Sequence, residues 1–139
     1  MANQPKTRSL GEQTRRAVLG DAHVDRSLKS ASPFDAPFQE LITASAWERV
    51  WSRPELTLRE RSMLTVSILA ALGREDELAL HLRATENTGA SPEDIREALM
   101  HVAIYAGVPA ANTAFRIARE TLGTRMTEAG GGPEAQAER

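Results

Sequence analysis

Cysteine is absent, which excludes disulfides, thiolate metal sites, iron–sulfur clusters and thiol-based redox catalysis. Aromatic residues are scarce, at 4% against a hydrophobic content of 41%. The core must therefore come from Ala and Leu, which favour helices over strands. Neither sign of charge dominates: 17 Lys and Arg face 19 Asp and Glu with no long run of either. No broad footprint for nucleic acid or an anionic membrane results, and a small polar ligand is the expected partner. Long apolar runs are missing as well. The longest, Val66 to Leu72, is too short to span a bilayer. The polar start (Asn3, Gln4, Lys6, Arg8) adjoins no signal-like segment, so a cytoplasmic chain is expected. Histidines at 23, 81 and 101 are too scattered to show clustered metal ligands.

The 139 residues suffice for one core, and their punctuation predicts an all-α single domain of about six helices. A first helix runs from Ser9 to Leu19 and stops at Gly20, and Ser30 to Pro37, with two prolines, is an irregular connector. From Asp35 or Ala36 a second helix carries Trp47 and Trp51 toward Pro54. Thr57-Leu58-Arg59-Glu60 matches a capping box, opening a helix from Leu58 to Leu72 that ends at Gly73. Helical character returns from Glu75 to Thr88 and ends at Gly89. Ser91-Pro92-Glu93-Asp94 then supplies an N-cap, a proline at the first helical position and acids in the first turn. That helix reaches about Ala106, and Gly107 with Pro109 turns the chain into a last helix through Leu122. Residues 1–8 are expected as a flexible N-terminus, 9–123 as the helical domain, and the Gly-, Glu- and Ala-rich stretch 124–139 as a disordered tail.

Glu77 and His81 stand four apart on one predicted helix, so their side chains share a face. A carboxylate so placed orients an imidazole and raises its pKa, which suits a general acid near neutral pH. The same spacing equally describes an ordinary surface Glu–His pair. Glu97 and His101 repeat it on the next helix, with the same two readings. Arg53, Arg59 and Arg61 cluster in sequence around the start of the third helix, where they could hold carboxylates or simply be solvated. Tyr105, the single tyrosine, precedes the Gly107-Val108-Pro109 turn and is either a ligand hydroxyl or a core ring with a wet end.

Several ungapped blocks, in order, resemble the carboxymuconolactone decarboxylase family, within the alkylhydroperoxidase-D-like superfamily. The first is Arg15-Arg16-Ala17-Val18-Leu19-Gly20-Asp21-Ala22-His23-Val24-Asp25. Pro37-Phe38-Gln39-Glu40-Leu41-Ile42-Thr43, Ala46-Trp47, Val50-Trp51, Arg53-Pro54 and Leu56 are similar to the family's aromatic segment. Ala70-Ala71-Leu72-Gly73-Arg74, Glu77-Leu78-Ala79-Leu80-His81-Leu82-Arg83-Ala84 and Ile104-Tyr105-Ala106-Gly107-Val108-Pro109-Ala110-Ala111-Asn112 complete the likeness, which covers roughly residues 12 to 122. Redox relatives in that superfamily carry two cysteines where this chain has Arg74 and Glu77, followed by a histidine, here His81, and a glutamate where Ser62 stands. The resemblance thus excludes a thiol peroxidase. Ala106 is a smaller departure, at a position where cysteine is expected in many such decarboxylases.

The implied reaction is loss of CO2 from 4-carboxymuconolactone to give the enol-lactone of 3-oxoadipate, in protocatechuate degradation. The substrate contains its own electron sink, so no cofactor is expected. In the roles this implies, His81 protonates carbon, Glu77 orients it, and Arg61 grips the spectator carboxylate with Arg53 or Arg74 as substitutes. Tyr105 or an arginine would face the lactone oxygen, Trp51 or Trp47 would wall the pocket, and His101 stands among the substrate-binding candidates. A trimer or hexamer is implied too. The alternatives are a cofactor-free lyase or isomerase acting on another lactone or oxo-acid, and a non-catalytic helical assembly protein.

Overall fold

A computed structural model describes residues 7–129. Of the expected flexible start, residues 1–6 lie outside the described residues; so do residues 130–139 of the expected tail. The chain is all-helical, with eight α-helices, one π-helix and no strand among the described residues. Two compact units divide it, Met1–Leu58 and Arg59–Arg139.

In the first unit α1 spans Leu10–Leu19, and its N-cap Ser9 accepts a hydrogen bond from the Glu12 amide at 3.1 Å. Gly20, at φ 87°, turns the chain directly into α2, Asp21–Ser30. This helix is additional to those read from sequence. It is tied to α1 through Arg16, which donates to Asp21 at 3.0 Å and Asp25 at 2.8 Å, and it buries Val24. The expected second helix is two: α3 covers Ala36–Ile42, and a π-helix follows over Thr43–Trp51. π-Helices are rare and short, so nine residues is a long one. α1 grips it along its length. Thr14 and Ser52 hydroxyls meet at 2.7 Å, Ser52 Oγ donates to the Trp47 carbonyl at 2.6 Å, and Gly11 lies so close that a Cβ there would run into the Thr43 carbonyl.

In the second unit α4 (Leu58–Leu72), α5 (Glu75–Thr88), α6 (Pro92–Tyr105) and α7 (Val108–Leu122) follow the glycine and proline punctuation. Val66, Leu82, Leu99 and Ile117 meet in its core. The Ser91 signal forms a complete capping box: the Asp94 amide donates to Ser91 Oγ, and the Ser91 amide to Asp94 Oδ2, both at 3.0 Å. Past Gly123 the chain is not immediately irregular but forms α8, Thr124–Ala129. Arg125 anchors it, donating to Thr85 Oγ1 at 2.7 Å and the Ala90 carbonyl at 3.3 Å. No helix among the described residues is long and apolar enough to cross a membrane.

Candidate active site

α5 presents Glu77 and His81 one turn apart on the same face. Glu77 is exposed and His81 half-buried, with its Nδ1 shielded from solvent. Polarity thus falls along the face from an exposed carboxylate to a more sheltered imidazole nitrogen. Arg61, on the first turns of α4, is only 9% exposed. Its burial sets it apart from the arginines nearby in sequence. Arg59 turns to Asp94, donating from Nε at 2.7 Å. This pairing lowers the Asp94 pKa well below the usual carboxylate range, first through that hydrogen bond and then through the bond from the Ser91 amide. Arg59 is thereby committed to a carboxylate of its own chain.

The remaining candidates are divided between the two units. Arg53, in the first unit, is exposed and pairs with Glu55 at 3.6 Å. Trp51 is buried there against Trp47, ring centroids 5.2 Å apart. Arg74 occupies the N-cap position of α5 and is exposed. Tyr105, at 85% exposure, is not a core ring; it stacks on His101 with centroids 5.9 Å apart. Three clefts open in the second unit: one of about 280 Å³ at the end of α4 beside Leu72 and Ala110, one of about 280 Å³ between α6 and α7 beside Leu99 and Phe115, and one of about 490 Å³ between α5 and α7 beside Arg83 and Arg116. His81, Glu77 and Arg61 line none of the three. Among the described residues no three of His, Asp and Glu gather as metal ligands.

Two buried polar features escaped the sequence reading. Ser62, fully buried, accepts a hydrogen bond from Thr88 Oγ1 at 3.0 Å, so the position where redox relatives are expected to carry glutamate is closed by a neutral hydroxyl pair. Arg15 is 5% exposed. Its spacing held the signal, since 11, 15 and 18 fall on one helical face and all three are buried.

Residues 36–120 match the model of the carboxymuconolactone decarboxylase family, well over half of the chain. The chain belongs to that family. It is 44% identical over 120 residues to a 4-carboxymuconolactone decarboxylase of Acinetobacter baylyi, covering 86% of this chain and 90% of the relative. A nitrosuccinic acid decarboxylase of Metarhizium robertsii is 40% identical over 112 residues, covering 81% of this chain and 78% of that one. A shorter stretch, 36 residues at 61% identity, matches a 4-carboxymuconolactone decarboxylase of Pseudomonas putida, covering 26% of this chain and 75% of that sequence. The family match spans α3 through nearly all of α7 and so contains every candidate site residue named from sequence. With both near-full-length relatives named as decarboxylases, the chain is a carboxy-lyase, and a purely structural assembly role is set aside.

Proposed function

We propose that the substrate is 4-carboxymuconolactone and the product 3-oxoadipate enol-lactone, as a cytoplasmic step of protocatechuate breakdown through the 3-oxoadipate pathway. The observation that carries this reading is the 44% identity to the Acinetobacter enzyme of that name, over 90% of its length. The bond from the ring carbon to its carboxylate breaks, CO2 departs, and the electron pair moves through the ring alkene onto the lactone carbonyl oxygen. The resulting dienolate takes a proton at ring carbon, and the alkene settles in its new position. His81 supplies that proton and Glu77 holds the imidazole for it. Arg61 holds the acetate arm, the carboxylate that stays, through a two-pronged contact. Its burial favours this reading over Arg53 or Arg74, because a desolvated guanidinium binds a carboxylate more strongly than a hydrated one.

Nitrosuccinic acid provides a second reading, favoured by the Metarhizium relative. Its nitro group can likewise accept the electron pair left by CO2, and a second carboxylate remains to be gripped. Both reactions ask the protein for the same three services: an anchor, a dry pocket and a proton delivered to carbon. Turnover of each acid by purified protein, followed by lactone absorbance and by CO2 release, separates the two. With the true substrate, His81→Ala should lower kcat by about 10²- to 10⁴-fold. Arg61→Lys should raise KM by roughly tenfold or more, as a charged two-pronged contact becomes a single one. Full activity in His81→Ala would remove it as the acid.

We infer also that the enzyme works as a homo-oligomer. α4 buries Val66 and Ala70 on one side and exposes Leu64, Ile68 and Leu72 on the other. A helix apolar on both sides belongs inside an assembly. Met100, Ile104 and Val108 continue the pattern at the end of α6 and the start of α7.

A further inference from the structure

Helices α6 and α7 carry one pattern twice. Pro92, Ile95, Arg96 and Leu99 on α6, and Phe115, Ala118, Arg119 and Leu122 on α7, fall at positions i, i+3, i+4 and i+7. That spacing puts each foursome on a single helical face, with an arginine set among apolar neighbours. The two faces meet. All eight residues, together with Glu93 and with Met126 of α8, line the cleft of about 280 Å³ between α6 and α7.

The floor of this cleft is apolar. Ile95, Leu99 and Leu122 belong to the buried core, and Phe115 packs half-buried against it. Met126 adds a thioether that is 38% exposed. A cavity of about 150 Å³ is enough to hold a benzene ring, whereas drug-sized ligands occupy roughly 300–1,000 Å³. The cleft therefore suits a single ring or a short chain.

The charge on its wall is cationic. Arg119 lines the cleft, is exposed, and makes no ion pair among the described residues. Its neighbour Arg116, by contrast, is held by Glu75 and Glu120, each at 3.3 Å. Arg96 meets Glu97 at 3.2 Å, but both side chains are more than half exposed, and a solvated pair of this kind is weak and opens readily. Glu93 is the one acid against these two guanidiniums. A ligand with a single negative charge balances the wall, and a carboxylate matches the fork of an arginine with two parallel bonds. A phosphate dianion would exceed that balance and bring nothing to cover the apolar floor.

We propose that the cleft between α6 and α7 binds a small monocarboxylic acid with an apolar body. The ring or short chain lies on Leu99, Phe115 and Leu122, and Arg119 holds the carboxylate with help from Arg96. His81, Glu77 and Arg61 do not line this cleft, and neither do the outward apolar residues of α4. It is thus separate from the candidate catalytic residues, and it does not depend on which acid the enzyme decarboxylates.

The test uses the full-length protein carrying ¹³C-methyl methionine. The Met126 methyl signal, identified by its loss in Met126→Leu, is followed while benzoate is added. Benzamide, of the same shape without the charge, and acetate, with the charge but no apolar body, are the comparisons. A saturable Met126 shift with benzoate is expected, with at least about tenfold weaker binding of benzamide and acetate. Arg119→Gln should weaken benzoate by a similar factor and Arg96→Gln by less; both arginines are exposed, so neither change disturbs the core. The Met63 methyl, on α4 two residues past Arg61, should stay in place. A Met126 signal that does not move, benzoate bound no better than benzamide, or unchanged binding in Arg119→Gln would overturn the site. So would a Met63 shift in place of the Met126 shift, which would put the acid beside the candidate catalytic residues instead.

Discussion

At the scale of single residues, burial separates arginines that the sequence presents as equals. Arg59 and Arg61 are two positions apart, yet the first is spent on Asp94 and the second is withdrawn from water. Nothing in the spacing foretells this, because residues two apart point to different sides of a helix and only packing decides which side is inside. The Glu77–His81 pair was legible from its i, i+4 spacing; the shielding of one imidazole nitrogen was not, since it depends on what covers that face. Asp94 supplies a prediction at this scale. Its pKa is depressed in the folded protein, so the stability it contributes is complete above the ordinary carboxylate pKa and is lost as pH falls through the folded value. Melting temperature followed from pH 7 to pH 2 should drop on the acid side, and Asp94→Asn should be less stable at pH 7 with a shallower acid limb. Parallel curves for the two proteins would count against Asp94 as a source of the acid sensitivity.

Elements were most legible where glycine, proline and a capping serine mark them. Gly73, Gly89 and the Ser91-Pro92 pair bound α4, α5 and α6 within a residue of their observed ends. α2 and the π-helix were not legible, for different reasons. α2 is short and largely polar and is tied to α1 by Arg16, a tertiary contact that periodicity does not register. The π-helix has an apolar pattern that a helix of ordinary pitch also explains, and its widening is visible only beside α1. Gly11 is the residue that lets the two approach. Gly11→Ala should destabilise the protein by about 1–3 kcal/mol, because the backbone it would strike cannot step aside as a flexible side chain can. Denaturant unfolding measures the loss. Near-ultraviolet circular dichroism should change with it, as the paired Trp47 and Trp51 rings sit on the displaced segment. Wild-type stability in the Gly11→Ala variant would mean that the close approach is dispensable.

At the scale of the whole molecule, the family and its decarboxylase chemistry follow from likeness along nearly the full chain, while the exposure of each candidate side chain follows only from packing. Tyr105 and His101 make the point: the resemblance implies substrate contacts for both, and both are exposed. The outward apolar face of α4 gives the prediction at this scale. Replacing Leu64 and Ile68 together by Glu should reduce the mass seen by sedimentation, since neither residue supports the inner core and the added charges oppose contact. A wild-type protein that already sediments as a monomer would sink the proposal outright. In the proposed assembly, that same face also brings mass action to bear on the enzyme. Where a helix is sheltered only by a neighbouring copy, resistance to heat rises with protomer concentration and falls on dilution. Specific activity measured at nanomolar enzyme would then decay with time after dilution, and adding an inert carrier protein would not restore it, whereas concentrating the sample would.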